Sequence, residues 1–485
     1  MTSPTSSLSR RRLLGAAGTA AAAGAVAMTP SWAPANAATE SELVPTDRGG
    51  HPEKPNVLVV LADDLGWADI SCYGSPEIRT PHLDRLALSG IRFTDGYAAA
   101  PLCSPTRFGL YTGRYPARLP GGLAEPIVRP NEIDGIPLDQ PTLASLLKSQ
   151  GYATRMFGKW HCGYLPWFSP TRVGWDAFFG AMGGAVDYFS KVNPNGDHDL
   201  YENEVEVEDL RYFTDLITDR TVGFIREEHH EPWLVNVNFT TPHWPWEGPG
   251  DVAISQELTA RTLAGETGEN GALAHWDGGS REVFKEMVEG LDAAVGKILA
   301  ALDATGQRQN TVVLFTSDNG GERWSNTWPL YGAKGDTREG GIRVPAILSW
   351  PGVLPRRTVS RTPVITMDWT ATFVELAGAA AGPAHPFDGV SLVDHLLRGR
   401  PAPGRDLFWR MRRSRALRRG DWKFYYSALP QPGMPAPGPH LYNLADDQRE
   451  LANLAAKEPG KLAELVAAWE TINATLLPYP PPAAG

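Results

Sequence analysis

Four predicted strands of this 485-residue chain end in side chains that are able to do chemistry. A single ending of this kind has a structural explanation, because Asp and Asn form turns and caps and a histidine before a loop is often structural. Four such endings are harder to explain in that way, since an α/β sheet binds its ligands at the carboxyl ends of its strands. The residues that follow the four strands are Asp63 and Asp64, Lys159 and His161, His243, and Asp318 and Asn319.

The oxygen-bearing members of this set predict a metal site. Carboxylate and amide oxygens are hard ligands, which suit Ca²⁺ or Mg²⁺ better than Zn²⁺. Three carboxylates would hold such an ion tightly and leave it electrophilic. The predicted ligands are Asp63, Asp64, Asp318 and Asn319.

The basic residues near the same strand ends predict a pocket for an oxyanion. Arranged around a metal ion, they would hold a tetrahedral group such as sulfate or phosphate. Preorganised positive charge stabilises such a group most in the transition state, where negative charge develops. The residues concerned are Arg107, Lys159, His161, His243 and Lys334.

A cysteine lies in the stretch Leu102-Cys103-Ser104-Pro105-Thr106-Arg107. We predict that a helix begins here, with Ser104 as its N-cap and Pro105 in its first turn. Arg107 would then lie on the same face as Cys103, one turn later. The residues alone leave two interpretations open: a buried and inert thiol, which is usual for a lone cysteine, or a cysteine nucleophile of low pKa.

Strands alternate with helices up to about residue 400, which predicts an α/β fold with a large, mostly parallel sheet flanked by helices. The first strand, over 56–62, is a continuous apolar run and should be buried on both faces. After a Pro/Gly/Arg-rich linker, short strands with tight turns predict a small α+β subdomain with an antiparallel sheet. We therefore expect a catalytic domain over 55–400 and a C-terminal subdomain over 401–485.

Hydrophobic spacing and capping residues predict the helices. A long amphipathic helix over 281–304 has apolar residues at three- and four-residue steps. The segment 248–278 is expected to be irregular, and 322–341 is expected to be a loop. Shorter helices are predicted over 81–89, 142–150, 216–228, 368–377 and 461–476.

Residues 1–37 have the features of an export signal. Ser9-Arg10-Arg11-Arg12-Leu13-Leu14 is a twin-arginine pattern, and Ala35-Asn36-Ala37 fits a small-residue cleavage site. A membrane anchor is the alternative, but the apolar run is short and is interrupted by Pro30 and Pro34. We expect the twin-arginine machinery to export the folded chain, with 38–54 as a linker and with no stable membrane insertion.

Charge and cysteine content exclude some partners and frameworks. The formal net charge is −10, and it becomes −13 without residues 1–37, which contain three arginines and no acids. An acidic protein is a poor general binder of nucleic acid or anionic membranes. The three cysteines are too few for a disulfide framework, and we expect Cys72 and Cys162 to be free rather than paired.

Six ordered motifs resemble those of the type I sulfatases, which have an alkaline-phosphatase-like fold. The resemblance covers about residues 55–455, including Gly420-Asp421-Trp422-Lys423 and Leu441-Tyr442-Asn443-Leu444. The Cys103 stretch resembles the family's C-x-P-x-R signature. The six motifs are Asp63-Asp64, Cys103-Ser104-Pro105-Thr106-Arg107, Gly158-Lys159-Trp160-His161, Thr241-Pro242-His243, Thr316-Ser317-Asp318-Asn319-Gly320 and Gly332-Ala333-Lys334-Gly335.

The resemblance implies a modified nucleophile and a metal ion. In this family a separate formylglycine-generating enzyme oxidises the cysteine to formylglycine, and a hydroxyl of its hydrate attacks the sulfur of a sulfate ester. Cys103 would be the modified residue. One Ca²⁺, favoured over Mg²⁺, would be bound by Asp63, Asp64, Asp318, Asn319 and the modified Cys103.

The resemblance also implies roles for the basic residues. Arg107 and Lys159 would hold the hydrate. His161 would take the proton from its second hydroxyl, which expels sulfate and regenerates the aldehyde. His243 and Lys334 would bind the sulfate and protonate the leaving alcohol.

Two residues depart from the family pattern, and both are expected to be structural. Cys162 stands where the family usually has Leu, and His82 stands where it usually has Asn. The stretches Gly183-Gly184-Ala185-Val186-Asp187-Tyr188 and Gly320-Gly321-Glu322-Arg323 resemble the branch that holds arylsulfatases and N-acetylgalactosamine-6-sulfatases.

The predicted activity is the hydrolysis of aryl or carbohydrate sulfate esters to an alcohol and inorganic sulfate, outside the cytoplasm. Trp244, Trp246 and Trp328 lie near the motif loops, where they either stack on the substrate ring or pack the loops. Two alternatives stay open: a phosphonate or phosphate monoester hydrolase of the same fold, or a catalytically silent binding protein if Cys103 is unmodified.

Overall fold

The computed structural model describes residues 54–428 and 436–480. The predicted export signal at 1–37 lies outside the described residues, as does the predicted linker up to residue 53. Within the described ranges, no helix is both long enough and apolar enough to cross a membrane.

Within the described residues, sixteen strands form one large sheet, a four-stranded sheet and a two-stranded pair. Short strands at both edges of the large sheet lack the long apolar runs from which the central strands were predicted. The strands are β1 (Asn56–Ala62), β2 (Ile91–Phe93), β3 (Gly96–Tyr97), β4 (Ala153–Gly158), β5 (Ala177–Gly180), β6 (Tyr201–Glu202), β7 (Val205–Glu206), β8 (Trp233–Asn238), β9 (Thr311–Ser317), β10 (Ala346–Ser349), β11 (Thr358–Ser360), β12 (Val364–Ile365), β13 (Asp406–Arg410), β14 (Ser414–Arg419), β15 (Trp422–Ser427) and β16 (Gly438–Asn443).

The large sheet has ten strands in the order β11-β2-β10-β9-β1-β8-β4-β5-β6-β7. Its five central strands, from β9 to β5, are mutually parallel. Antiparallel pairs occur towards the edges, where β10 runs against both β9 and β2, and where β6 runs against β5 and β7. The predicted α/β fold with a large, mostly parallel sheet is therefore confirmed.

The central strand β1 is buried on both faces, as its apolar run predicted. Val57 and Val59 belong to the apolar cluster on one side of the sheet, whereas Leu58 and Val60 belong to the cluster on the other side. This alternation follows from the two-residue period of a strand. β1 is thereby fixed between two helical layers.

Helices supply both of these layers. Side chains of α1, α4 and α6 fill the first cluster, and side chains of α2, α3, α8 and α9 fill the second. The long helix α6 has the bounds that its hydrophobic spacing predicted. The helices are α1 (Pro81–Leu88), α2 (Cys103–Thr112), α3 (Leu143–Lys148), α4 (Phe213–Arg226), α5 (Val252–Leu263), α6 (Arg281–Ala304), α7 (Glu339–Ile342), α8 (Thr366–Leu376), α9 (Val393–Arg398) and α10 (Pro459–Asn473).

The start of α2 differs from the prediction. The helix begins at Cys103 with Leu102 as its N-cap, so Ser104 is not the cap. The Ser104 hydroxyl instead accepts a hydrogen bond from the Ile127 backbone N–H at 3.0 Å. A contact distant in the chain therefore takes the side chain that local capping rules assigned to the helix.

Several further elements were missed, among them β5, α5, α7, α9 and β16. The segment 248–278, expected to be irregular, contains α5, whose buried positions include Ser255 and Thr262, so its apolar signal is weak. The predicted loop over 322–341 ends in α7. The strand β16 begins with Gly438-Pro439, which lowers strand propensity but is tolerated on the edge of a sheet.

The C-terminal residues form the predicted antiparallel sheet, in the order β13-β14-β15-β16, with α10 packed against it. Leu417 and Leu465 share one apolar cluster with Tyr97 and Ile365, which come from the part of the chain before residue 400. The sheet is therefore packed onto the larger part of the fold. The domain boundary at residue 400 stays a prediction.

A buried ion pair network also joins this sheet to the rest of the chain. The Lys423 Nζ in β15 lies 2.8 Å from Glu339 Oε1 and 2.9 Å from Glu450 Oε1, and all three side chains are buried. Burial alone would raise the pKa of Glu339, but Lys423 and nearby arginines outweigh it and lower that pKa to about 2. Lys423 therefore keeps a buried carboxylate ionised.

We predict that Lys423→Met lowers the free energy of unfolding by about 3–5 kcal/mol, because it leaves buried acids without their counter-charge. Urea denaturation followed by circular dichroism measures this change. The matched control is Lys461→Met, which removes a partly exposed lysine paired with Glu464 and should cost no more than about 1 kcal/mol. Equal effects of the two substitutions would contradict the prediction.

Candidate active site

The predicted site residues meet at one edge of the large sheet. Asp63 follows β1, Lys159 follows β4, and Asp318 follows β9. The parallel strands end together, so these side chains lie within contact distance of one another although they are far apart in the chain. Cys103 opens α2 beside them.

The Arg107 guanidinium connects the acids to each other. Its Nη2 donates to Asp318 Oδ2 at 2.8 Å and to Asp63 Oδ2 at 3.3 Å. Its Nη1 donates to the Lys159 carbonyl oxygen at 2.9 Å. The whole side chain is buried. Arg107 therefore holds the ends of β1, β9 and β4 in one arrangement through charge-assisted hydrogen bonds.

The acids and the thiol are close enough to share a cation. Asp63, Cys103 and Asp318 each offer one ligand atom within 4.8 Å of the others, and the same holds for Asp63, Asp64 and His243. The Asp63 Oδ1 and Asn319 Oδ1 atoms are buried and accept no hydrogen bond within the described residues. Buried oxygens without donors are costly unless a cation binds them. The residues present thus fit a hard divalent ion.

The crowded surroundings of these acids shift their pKa values in opposite directions. Burial, together with the neighbouring Asp318, raises the pKa of Asp63 to about 8 although Lys159 and Arg107 oppose the change. Asp64 behaves differently: burial would raise its pKa, but Lys334 and His243 outweigh burial and bring that pKa well below its usual value. The cations of the chain therefore only partly offset the negative charge at Asp63, which is an arrangement suited to metal binding.

The Cys103 thiol is buried at the first position of α2. Burial raises its pKa to about 11, even though Lys159 and Lys334 oppose this rise. This direction argues against the interpretation of the unmodified Cys103 as a low-pKa nucleophile, because thiolate reactivity needs a lowered pKa. All three cysteines are free, so Cys72 and Cys162 do not pair, as expected.

One ring nitrogen of His161 forms a hydrogen bond, whereas the other has no hydrogen-bond partner within the described residues. Its Nε2 contacts the Ile127 carbonyl oxygen at 2.8 Å, and because a carbonyl only accepts, Nε2 carries the hydrogen. Its Nδ1 is buried and has no hydrogen-bond partner within the described residues. Burial, with Lys159 and Arg107 nearby, holds the pKa of His161 well below its usual value. The ring is therefore neutral, with Nδ1 free to accept a proton.

Backbone strain accompanies the strand ends. Asp64 and His161 have φ angles of 62° and 53°, a left-handed conformation that costs a non-glycine residue about 1–3 kcal/mol. A Cβ on Gly184 would lie 2.4 Å from the His161 ring, so only glycine leaves that ring room. Such strain is retained where the surrounding structure fixes a functional side chain.

Lys334 and His243 both approach the Asp64 carboxylate. The Lys334 Nζ donates to Asp64 Oδ2 at 2.7 Å and to Glu322 Oε2 at 3.3 Å. His243 donates from Nδ1 to the Trp244 carbonyl oxygen at 2.6 Å, which leaves Nε2 3.6 Å from Asp64 Oδ2. Sequence reasoning gave Glu322 no role, although an acid four residues after Asp318 in a motif loop was a usable signal.

A cavity of about 440 Å³ opens above these groups, with Cys103, His161, His243 and Lys334 in its lining. Of the tryptophans considered from the sequence, only Trp244 lines it. Trp246 is 2% exposed and packs in the core, whereas Trp328 is 61% exposed and lies under Arg449. Trp276, which the sequence did not single out, lines the cavity instead. The packing interpretation was thus correct for Trp246.

Comparison with known proteins decides the family. Residues 55–379 match the family model described as Sulfatase. The chain belongs to the sulfatase family. It is 33% identical over 374 residues to N-acetylgalactosamine-6-sulfatase of Rattus norvegicus, and this alignment covers 72% of this chain and 67% of that protein. It is also 28% identical to arylsulfatase J of Mus musculus, over 88% of this chain and 77% of that protein.

Solved structures agree with this assignment. The sulfatase chain superposes with a TM-score of 0.74 on Ps i-CgsB in complex with k-i-k-neocarrahexaose, at 30% identity over 86% of this chain and 92% of that one. This chain thus has the alkaline-phosphatase-like fold of sulfatases. The protein is accordingly a sulfuric ester hydrolase.

We predict that Asp318→Asn weakens the binding of one Ca²⁺ about tenfold or more, because it removes a charged oxygen ligand from the cluster. Calorimetric titration of the metal-free chain with CaCl₂ measures the affinity. The control is Asp292→Asn, since Asp292 is also buried but caps the backbone N–H groups of His82 and Leu83 far along the chain. An unchanged affinity in Asp318→Asn would remove this residue from the metal site.

Proposed function

We propose that the chain is a formylglycine-dependent sulfatase that binds one Ca²⁺ and cleaves aryl or carbohydrate sulfate esters. The observation that carries this proposal is the position of Cys103, whose sulfur lies within 4.8 Å of a carboxylate oxygen of Asp63 and of Asp318 and which lines the same cavity as the buried His161. An unmodified thiol at this place has a raised pKa and would be a poor nucleophile. Oxidation of Cys103 by a formylglycine-generating enzyme removes that difficulty.

The acids of the cluster would hold the metal ion. When bound, a divalent ion would polarise the oxygens of the sulfate group and lower the pKa of a neighbouring hydroxyl. Asp63 Oδ1 and Asn319 Oδ1 are the oxygens best placed for it, because both are buried without hydrogen-bond donors. Asp64 and Asp318 complete the proposed set, together with the modified Cys103.

The basic residues nearest Cys103 would position the nucleophile. A formylglycine hydrate supplies one hydroxyl for attack and a second hydroxyl whose proton must be removed. The hydrogen bonds of Arg107 already go to Asp318, Asp63 and the Lys159 carbonyl, so we assign to Arg107 the support of the acids. Of the pair expected to hold the hydrate, Lys159 is therefore the better candidate for direct contact.

His161 would act as the general base. Its neutral ring presents Nδ1 without a partner, while the Ile127 carbonyl fixes the tautomer through Nε2. A base with a fixed tautomer and an open lone pair is able to accept a proton from a nearby hydroxyl. Gly184 supports this role by leaving space for the ring.

Lys334 would protonate the leaving alcohol. Its ammonium lies at the cavity and is held by Asp64 and Glu322. His243 uses its ring N–H on the Trp244 carbonyl, so its Nε2 has a lone pair rather than a proton in the structure. We therefore assign proton donation to Lys334 first, and contact with the sulfate to both residues.

We further propose that the chain works outside the cytoplasm after export by the twin-arginine machinery. The support is the Arg10-Arg11-Arg12 pattern and the cleavage site at Ala35-Asn36-Ala37. Trp244 and Trp276 beside the cavity favour a ring-bearing ester, since aromatic side chains stack on flat or apolar ring faces. The relatives named for N-acetylgalactosamine-6-sulfate and aryl esters support the same substrate class.

We predict that Cys103→Ala lowers turnover of 4-nitrophenyl sulfate on the order of 10⁶-fold, the scale seen when a covalent nucleophile is removed. The matched control is Cys72→Ala, which removes a cysteine outside the site and should retain full turnover. Circular dichroism checks that both variants are folded. Appreciable turnover by folded Cys103→Ala would overturn the nucleophile assignment, and faster cleavage of 4-nitrophenyl phosphate by the wild type would overturn the substrate assignment.

A further inference from the structure

A second and larger cavity lies at the opposite end of the sheet. It has a volume of about 880 Å³ and is lined by α1, by the second half of α6, by the residues before β9 and by the loop after β10. Arg308 precedes β9, whereas Asp318 of the candidate active site follows it. The seven residues of β9 at about 3.3 Å each separate the two places by roughly 20 Å. This cavity is thus distinct from the candidate active site.

Three arginines line this cavity: Arg85 from α1, Arg308, and Arg356 from the loop after β10. None of them forms an ion pair with a carboxylate in the part of the chain that the structure describes. Arg85 instead contacts the ring nitrogen Nδ1 of His82. One acid, Asp303, also lines the cavity, so the arginines outnumber the acids there.

Arg308 is the most informative of the three because it is 9% exposed. Its hydrogen bonds go to neutral oxygens, the Thr311 carbonyl at 3.3 Å and the Ser349 hydroxyl at 2.7 Å. Burial lowers the pKa of Arg308 to about 10, and Asp303 offsets this only in part. A buried cation without a paired anion is costly, and an anion bound in the cavity would remove that cost.

We propose that Arg85, Arg308 and Arg356 form a second binding site, for a tetrahedral oxyanion of the sulfate type. Guanidinium groups match such oxyanions with paired N–H donors, and arginine is the residue most used for this recognition. The cavity volume exceeds what a free sulfate ion fills. It therefore also has room for a sulfate group that is attached to a saccharide chain.

The sulfate group has two possible sources, and both concern the reaction of the enzyme. Inorganic sulfate is the product of sulfate ester hydrolysis, whereas a sulfated saccharide carries further sulfate groups beyond the one that is cleaved. The site would bind either through the same arginines. Only the saccharide would also fill the part of the cavity that the sulfate group leaves empty. Competition between labelled sulfate and a sulfated saccharide therefore distinguishes the two sources.

The test is equilibrium dialysis of the full chain with radiolabelled sulfate. The double variant Arg85→Gln/Arg356→Gln removes two guanidinium groups. Both are exposed, so we expect the variant to fold as the wild type does. Each loss should weaken sulfate binding about tenfold or more. We expect the double variant to bind one equivalent of sulfate fewer than the wild type. The matched control is Arg357→Gln, a neighbouring exposed arginine outside the cavity lining, which should bind as the wild type does.

Competition then identifies the source. Competition is measured on the sulfate equivalent that the wild type binds and the double variant does not. If sulfated dextran fragments displace this equivalent and neutral dextran does not, the site binds sulfated saccharide. If sulfated dextran does not displace it, the site binds free sulfate. Equal binding by the wild type and the double variant, or an equal loss in Arg357→Gln, would overturn the proposal. None of these outcomes depends on catalytic activity or on modification of Cys103.

Discussion

The site depends on the balance of charge where β1 and β9 end. Asp63, Asp64 and Asp318 are buried side by side, and three cations of the chain oppose them: Arg107, Lys159 and Lys334. The formal charges cancel, yet the pKa of Asp63 stays raised. A divalent cation would make the site net positive, which is what a negatively charged sulfate ester requires. In the proposed function, one cluster of ion pairs would thus connect metal binding to substrate recognition.

The fold supplies this cluster through strand order. β1 lies between β8 and β9, and β4 pairs with β8, so four parallel strands deliver their loops to one place. Asp63, Asp64 and Asp318 are themselves buried beyond the ends of these strands, which strengthens every charge interaction there. Arg107 from α2 then ties the loops after β1, β4 and β9 together. The arrangement of the candidate site therefore follows from strand order and from packing elsewhere in the fold.

Sequence patterns predicted β1, β4, β8 and β9 of the five central strands, the long helix α6 and the convergence of the motif residues, because long apolar runs and polar strand ends carry strong signals. They did not predict β5, which lies in a segment interpreted as loop-rich. They did not predict the cap of α2, since Ser104 bonds a backbone group from residue 127. They also missed α5, whose buried positions include Ser255 and Thr262. The Trp276 contribution to the cavity, and the arginines of the second cavity, depend on tertiary neighbours that no local pattern encodes.

Cys103 is the residue on which the proposed chemistry depends, and its chemical state is directly measurable. The decisive experiment is mass spectrometry of the tryptic peptide from Phe93 to Arg107, taken from enzymatically active material. The proposed mechanism predicts an aldehyde or its hydrate in place of the thiol, reactive towards a hydrazide and inert to iodoacetamide. An intact thiol that is fully alkylated by iodoacetamide in active material would contradict it.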